Sequence, residues 1–160
     1  MKDYKKILVV DDDKSILLFF ENFLTAQNYE VLTASDGNEA LQKYSESGAD
    51  LVISDMIMEG MTGIELFDKL QTFDQEIMFL LLTGYPSIDT AVQSIKKGVY
   101  DYITKPFNID DLKMRIERAL EMQSLKRRLK KTRGLIFGLM FSIPLWLFLG
   151  FVLTLFFYKK

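Results

Sequence analysis

The sequence predicts an α/β fold, a single five-stranded parallel sheet with helices on both faces. Five short apolar runs recur, at Ile7–Val10, Glu30–Ala34, Leu51–Ser54, Ile77–Thr83 and Tyr100–Thr104, each followed by a helical pattern. The runs ILVV, LVIS and MFLLL are nearly all apolar, as strands covered on both faces should be. Regular alternation of strand and helix patterns calls for a parallel sheet with right-handed crossovers.

The elements follow in order. After the first run, Lys14–Gln27 reads as a helix, because Ile16, Phe19, Phe20, Phe23 and Leu24 repeat at helical spacing and make one buried face. Asp13 stands where an N-cap is needed. Further helices are expected over Gly37–Ser47, Gly63–Thr72 and Ser87–Lys97. The last runs from Ile109 to Lys131. In it Ile109, Leu112, Ile116 and Ala119 follow a 3–4 spacing, which Met122, Leu125 and Leu129 resume after a shift. Its first half should pack on the sheet and its second half should leave it as a stalk.

Charge divides the chain. Residues 1–125 carry 12 Lys/Arg against 22 Asp/Glu, whereas residues 126–160 carry 8 Lys/Arg and no acid, giving nets of −10 and +8. An acidic body repels phosphates, so no nucleic-acid partner is expected. There is no cysteine and no histidine, which excludes disulfides, the usual zinc sites and every Ser–His or Cys–His mechanism. The opening MKDYKKILVVDDD holds four consecutive apolar residues before three acids and does not read as a secretory leader.

The end of the chain is different in kind. From Leu135 to Tyr158 there are 24 uncharged residues. As a helix they span about 36 Å, against a hydrocarbon core of about 30 Å. The organisation read from this is a body over 1–122, a basic helical stalk over 123–133, a transmembrane helix over 134–158 and a stub of 159–160. Lys126, Arg127, Arg128, Lys130, Lys131 and Arg133 precede the apolar run, so the body is expected on the cytoplasmic side. Pro144 removes one backbone donor and invites a bend. Gly134 and Gly138 form a G-x-x-x-G pair, a spacing that lets two helices approach closely, so a homodimer is among the expected partners.

Ligands of an open parallel sheet bind at the carboxyl ends of its strands. Asp11, Asp12 and Asp13 follow the first run, Asp55 the third, Lys105 the fifth, and Thr83 ends the fourth. Four strands thus deliver acids, a hydroxyl and an amine to one rim. Clustered carboxylates are best tolerated around a hard cation such as Mg²⁺, which binds through one or two carboxylates plus phosphate. A lysine and a hydroxyl beside it would neutralise and orient phosphoryl oxygens. The set reads as phosphoryl transfer to or from a carboxylate.

Four stretches in order, VVDDDKSI, DLVISDMIMEGMTGIEL, LLLTGYPSIDTAV and GVYDYITKPFNIDDL, resemble the receiver domain of two-component response regulators. The resemblance covers roughly residues 4–122 and implies the flavodoxin-like (βα)5 strand order 2-1-3-4-5. It implies Asp55 as phosphoacceptor, attacking a phosphohistidine on a sensor histidine kinase or phosphotransfer protein. It implies Mg²⁺ held by Asp11, Asp12, Asp55 and the backbone carbonyl of Ile57, with Thr83 and Lys105 on the phosphoryl group. Tyr102 stands at the family's aromatic switch, turning inward as Thr83 moves toward the phosphate, and Lys105–Pro106 would be a cis peptide. Phosphorylation would then alter the surface of the fourth helix, fifth strand and fifth helix, to be read by a downstream protein. The helix-to-stalk ending resembles receivers that precede ATPase-type transcription activators.

The departures from the family are specific. Glu59 replaces a common proline and adds a charge near an acidic site. Ile57 and Tyr85 occupy the two positions that in the family tune attack of water on the acyl phosphate, and being bulky and apolar or aromatic they have little to orient a water, so slow self-dephosphorylation is expected. In place of an output domain there is the apolar tail. The chain therefore reads as a phosphoacceptor switch and not a turnover enzyme, anchored in the cytoplasmic membrane of a bacterium. A phosphate sink or relay intermediate needs the same residues. A rival reading is a haloacid-dehalogenase-type phosphatase with Asp11 as nucleophile and Asp13 as acid/base. It requires another acidic strand end after the lysine, where only Asp110 and Asp111 follow.

Overall fold

The computed structural model describes residues 5–130 together with Thr132 and Tyr158. The expected transmembrane segment 134–158, apart from Tyr158, and the stub 159–160 lie outside the described residues. Among the described residues no helix is long and apolar enough to cross a membrane.

The strands are β1 (Lys6–Val10), β2 (Glu30–Ala34), β3 (Leu51–Asp55), β4 (Phe79–Thr83) and β5 (Asp101–Thr104), all parallel in the order β2-β1-β3-β4-β5. The helices are α1 (Lys14–Thr25), α2 (Gly37–Ser47), α3 (Gly63–Phe73) and α4 (Ile88–Lys97), followed by α5 over residues 109–130. This is the expected five-stranded α/β fold. The chain divides into two compact units, Met1–Gln123 and Ser124–Lys160. The sheet belongs to the first.

Several boundaries differ from the sequence reading by one residue and two differ by two residues, each of these two for a local reason. Helix α1 stops at Thr25 because Asn28 takes a left-handed φ of 63° and the Tyr29 N–H bonds back to the Leu24 carbonyl at 3.2 Å. Strand β4 starts at Phe79, not Ile77. Asp74 captures the Glu76 N–H on its carboxylate and the Ile77 N–H on its carbonyl, so those residues form a turn and pairing begins with Val52 opposite Phe79.

The period of two along each strand builds two cores. Leu8, Val10, Val52, Phe79 and Leu81 face Ala40, Tyr44, Leu66, Phe67 and Leu70 from α2 and α3. Ile7, Val9, Leu51, Ile53, Leu80, Leu82 and Ile103 face Phe20 and Leu24 of α1 and Leu112, Ile116 and Ala119 of α5. Each Val, Leu, Ile or Phe among them contributes about 1.5–3 kcal/mol on full burial, so both faces hold the sheet against its helices. The expected apolar face of α1 is present, with Phe20 and Leu24 fully buried and Ile16, Phe19 and Phe23 packed at its margin. Ile109 departs from its expected place. It is 51% exposed in the first turn of α5, next to Asn108, whose side chain caps the N–H groups of Asp110 and Asp111.

Caps aim the helices away from the rim that carries the polar residues. Asp13 caps α1, Asp36 caps α2 and Ser87 caps α4, while Thr62 and Glu65 form a reciprocal capping box on α3. Gly63 opens α3 so close to β3 that an added Cβ would run into the Asp55 carbonyl oxygen. That contact is with backbone and cannot relax by rotamer change. Gly63→Ala should therefore cost about 1–3 kcal/mol in urea unfolding, whereas Gly84→Ala, where nothing lies within 4 Å, should be close to neutral.

Candidate functional site

Parallel pairing brings the carboxyl ends of β1, β3, β4 and β5 to one edge. Asp11, Asp55 and Thr83 are buried there, at 1%, 8% and 1% exposure. Lys105 reaches across from the end of β5. Its Nζ lies 2.8 Å from Asp11 Oδ2 and 2.5 Å from Asp55 Oδ1, so one ammonium ties three strand ends together. The second oxygen of each carboxylate is held by backbone. The Asp13 N–H donates to Asp11 Oδ1 at 3.0 Å, and the Ile57 N–H donates to Asp55 Oδ2 at 2.9 Å.

The electrostatics follow from counting charges. Two carboxylates share one ammonium, which leaves one negative charge uncompensated. Burial raises the Asp11 carboxyl above its ordinary range, and the bonds from Lys105 and the Asp13 N–H only partly offset that. For Lys105 burial works against the ammonium, but the bonds to Asp11 and Asp55 outweigh it and its pKa is raised.

The other expected residues are placed as follows. Asp12 is exposed beside Asp11. Asp13 is exposed and capped onto α1, accepting from the Ser15 N–H at 2.7 Å and hydroxyl at 2.6 Å. Its carboxylate is thus committed away from acid/base work, which counts against the phosphatase reading. Ile57 and Tyr85 are 56% and 79% exposed at the mouth of the loops after β3 and β4. Glu59 is exposed in a tight turn at Gly60, whose φ is 78°. The Thr83 hydroxyl accepts from the Tyr85 N–H at 3.1 Å. Tyr102 is half-buried, and the Lys105–Pro106 peptide is cis.

Three participants were not singled out in the sequence. Thr90, one turn into α4, meets the Tyr102 hydroxyl at 3.2 Å and so joins the switch position to that helix. Gly63 makes room for the Asp55 carbonyl, and its signal was a glycine where a helix former would be usual. Ser54 is fully buried and donates to the Asp55 carbonyl at 2.8 Å. A small hydroxyl inside an apolar run was the trace it left.

Among the described residues no group of three acidic side chains is gathered closely enough to hold a metal ion. The donor set nonetheless fits a hard divalent cation. Asp11 and Asp55 already converge on one cationic atom with a negative charge to spare, and Mg²⁺ needs only one or two protein carboxylates.

An open parallel sheet in this order, with acids and a lysine at its carboxyl edge, is the setting in which the comparisons with known proteins fall. The response regulator receiver domain family matches residues 7–117, and the chain belongs to that family of two-component proteins. The chain is 37% identical to Transcriptional regulatory protein ZraR of Klebsiella oxytoca over 139 residues, 86% of this chain and 31% of that protein. Nitrogen assimilation regulatory protein NtrX of Azorhizobium caulinodans is 35% identical over 131 residues, 81% of this chain and 29% of its own length. The chain therefore spans about a third of these curated relatives or less. Their names are those of regulators, ZraR's a transcriptional one, which stands in mild conflict with the expectation of no nucleic-acid partner. A solved receiver domain protein of Methanospirillum hungatei superposes with a TM-score of 0.74 and 33% identity, covering 78% of this chain and 99% of that one. One from Clostridium thermocellum gives 0.72 and 32%, covering 76% and 98%.

Because the folded pKa of Asp11 is raised, its ionised form costs stability. The cost is absent below the unfolded carboxyl pKa of 3.8 and complete above the folded value. Asp11→Asn should therefore melt at a higher temperature than the wild type at pH 7, with the difference vanishing as pH falls toward 3.8. Thermal melts of both proteins across that range check it.

Proposed function

We propose that this receiver accepts a phosphoryl group on Asp55 and acts as a membrane-confined switch. The observation that carries the reading is the single ammonium of Lys105 bridging buried Asp11 and Asp55 across three strand ends. A receiver domain implies a phosphodonor kinase as partner. An Asp55 carboxylate oxygen attacks phosphorus, the phosphorus–nitrogen bond of a phosphohistidine breaks, and the electron pair leaves with the imidazole, which takes up a proton. Asp11, Asp12, Asp55 and the Ile57 carbonyl would hold Mg²⁺, whose chemistry is to neutralise phosphoryl oxygens.

This chain's own groups do the rest. The Ile57 N–H steadies Asp55, and Lys105 exchanges a carboxylate for a phosphoryl oxygen without leaving the site. The Thr83 hydroxyl gives up its place under the Tyr85 N–H to donate to the phosphate. Tyr102 then parts from Thr90 to fill the space, changing the surface of α4, β5 and α5 for a downstream protein or a second copy. The uncharged run 135–158 and the cations before it support confinement to the cytoplasmic membrane, where effective concentration with membrane kinases is raised.

Incubating the full chain in liposomes with Mg²⁺ and acetyl phosphate should yield an acyl phosphate that maps to Asp55 and is absent from Asp55→Asn. A label on Asp11 with steady phosphate release would instead support a phosphatase. Ile57 offers no group to orient attacking water, and Tyr85 only a phenol that is 79% exposed. Ile57→Asn, which supplies an amide at the mouth of the site, should speed decay of the acyl phosphate several-fold. An unchanged decay rate would show that these positions do not set the lifetime.

A further inference from the structure

We propose that residues 125–130 of α5, with the cations that follow, are a docking surface for anionic phospholipid headgroups. The proposal rests on the membrane reading of the run beyond them. Leu125 and Leu129 are 46% and 66% exposed and lie four residues apart, on one side of the helix. Lys126, Arg127, Arg128 and Lys130 are all exposed around them. The Thr132 hydroxyl donates to the Arg128 carbonyl at 3.1 Å. Lys131 and Arg133 add two further cations, and no acid occurs anywhere from residue 122 to the last residue given.

Three occupants compete for this face, and its charge together with its exposed leucines separates them. A second copy would bring six cations against six, which repel. A nucleic acid would satisfy the cations but leave both leucines in water. An anionic bilayer surface takes both features at once. Cations sit among the headgroups, the leucines enter the boundary with the acyl chains, and the Lys and Arg stems follow them. The face is also continuous in sequence with the uncharged run that starts two residues after Arg133. The same contact answers a difficulty of the acidic body, which an anionic membrane would otherwise hold off.

The chain has no cysteine, so Leu129→Cys gives a single labelling position for an environment-sensitive fluorophore. The labelled full chain is reconstituted into neutral phosphatidylcholine vesicles and into vesicles containing phosphatidylglycerol, with flotation read in parallel. The expected result is flotation with both, a blue shift only in the anionic vesicles, and its loss in 1 M salt, where the Debye length is about 3 Å. Combining Lys126→Gln, Arg127→Gln, Arg128→Gln and Lys130→Gln should abolish the shift while flotation persists. Flotation with both but no shift in either overturns the proposal and leaves the membrane tether intact. Flotation with anionic vesicles alone supports the headgroup contact and removes the tether, and flotation with neither removes both. A shift independent of lipid that fades on protein dilution assigns the face to a second copy. A shift on adding duplex DNA in detergent assigns it to nucleic acid.

Discussion

The ammonium of Lys105 is the constraint on which the rest of the site depends. Asp11 and Asp55 come from different strands, and parallel pairing of β1 with β3 brings them to the same edge whether or not their charges agree. Burying two carboxylates side by side is unfavourable unless each is paired and hydrogen-bonded. The lysine meets both at once, from a third strand. Because one cation serves two anions, the site keeps a residual negative charge. That imbalance suits a site that can take up a further cation.

The structure beneath that edge is rigid where it must be. β3 and β4 are buried along their whole length, and β3 ends at Asp55, whose carbonyl accepts from the Ser54 hydroxyl and lies close against Gly63, itself bonded to the Met56 carbonyl. Opposite in character is α4. Among its residues only Ser94 is fully buried, while Ile88, Val92 and Ile95 remain substantially exposed. An element with few buried apolar contacts lies at the low end of local stability. It is tied to β5 through the Thr90–Tyr102 hydroxyl pair, so a change at Tyr102 reaches the element least able to resist it.

Much of this was legible in the residues. Acid, acid, hydroxyl and amine at four strand ends are visible once the apolar runs are seen, since a strand's last residues fall at the sheet edge whatever else happens. Asp13 as a cap was equally readable, because capping is a local bond between a side chain and an N–H two residues on. Thr90 was not readable. Its partner is twelve residues away in another element, and a threonine in a helix carries no mark of that contact. Nor was the exposure of Ile109, whose spacing matched its buried neighbours but whose position in the first turn did not.

The sequence by itself determined the class of fold, the order of its elements, the chemical identity of the site and the opposition of an acidic body to a basic, apolar tail. Those properties follow from composition and period, which each segment carries alone. Tertiary structure decided that Lys105 lies between Asp11 and Asp55, that Asp12 stays exposed beside them and that Tyr102 leans on α4. Such facts are distances between residues as many as 94 positions apart, fixed only when the strands take their register.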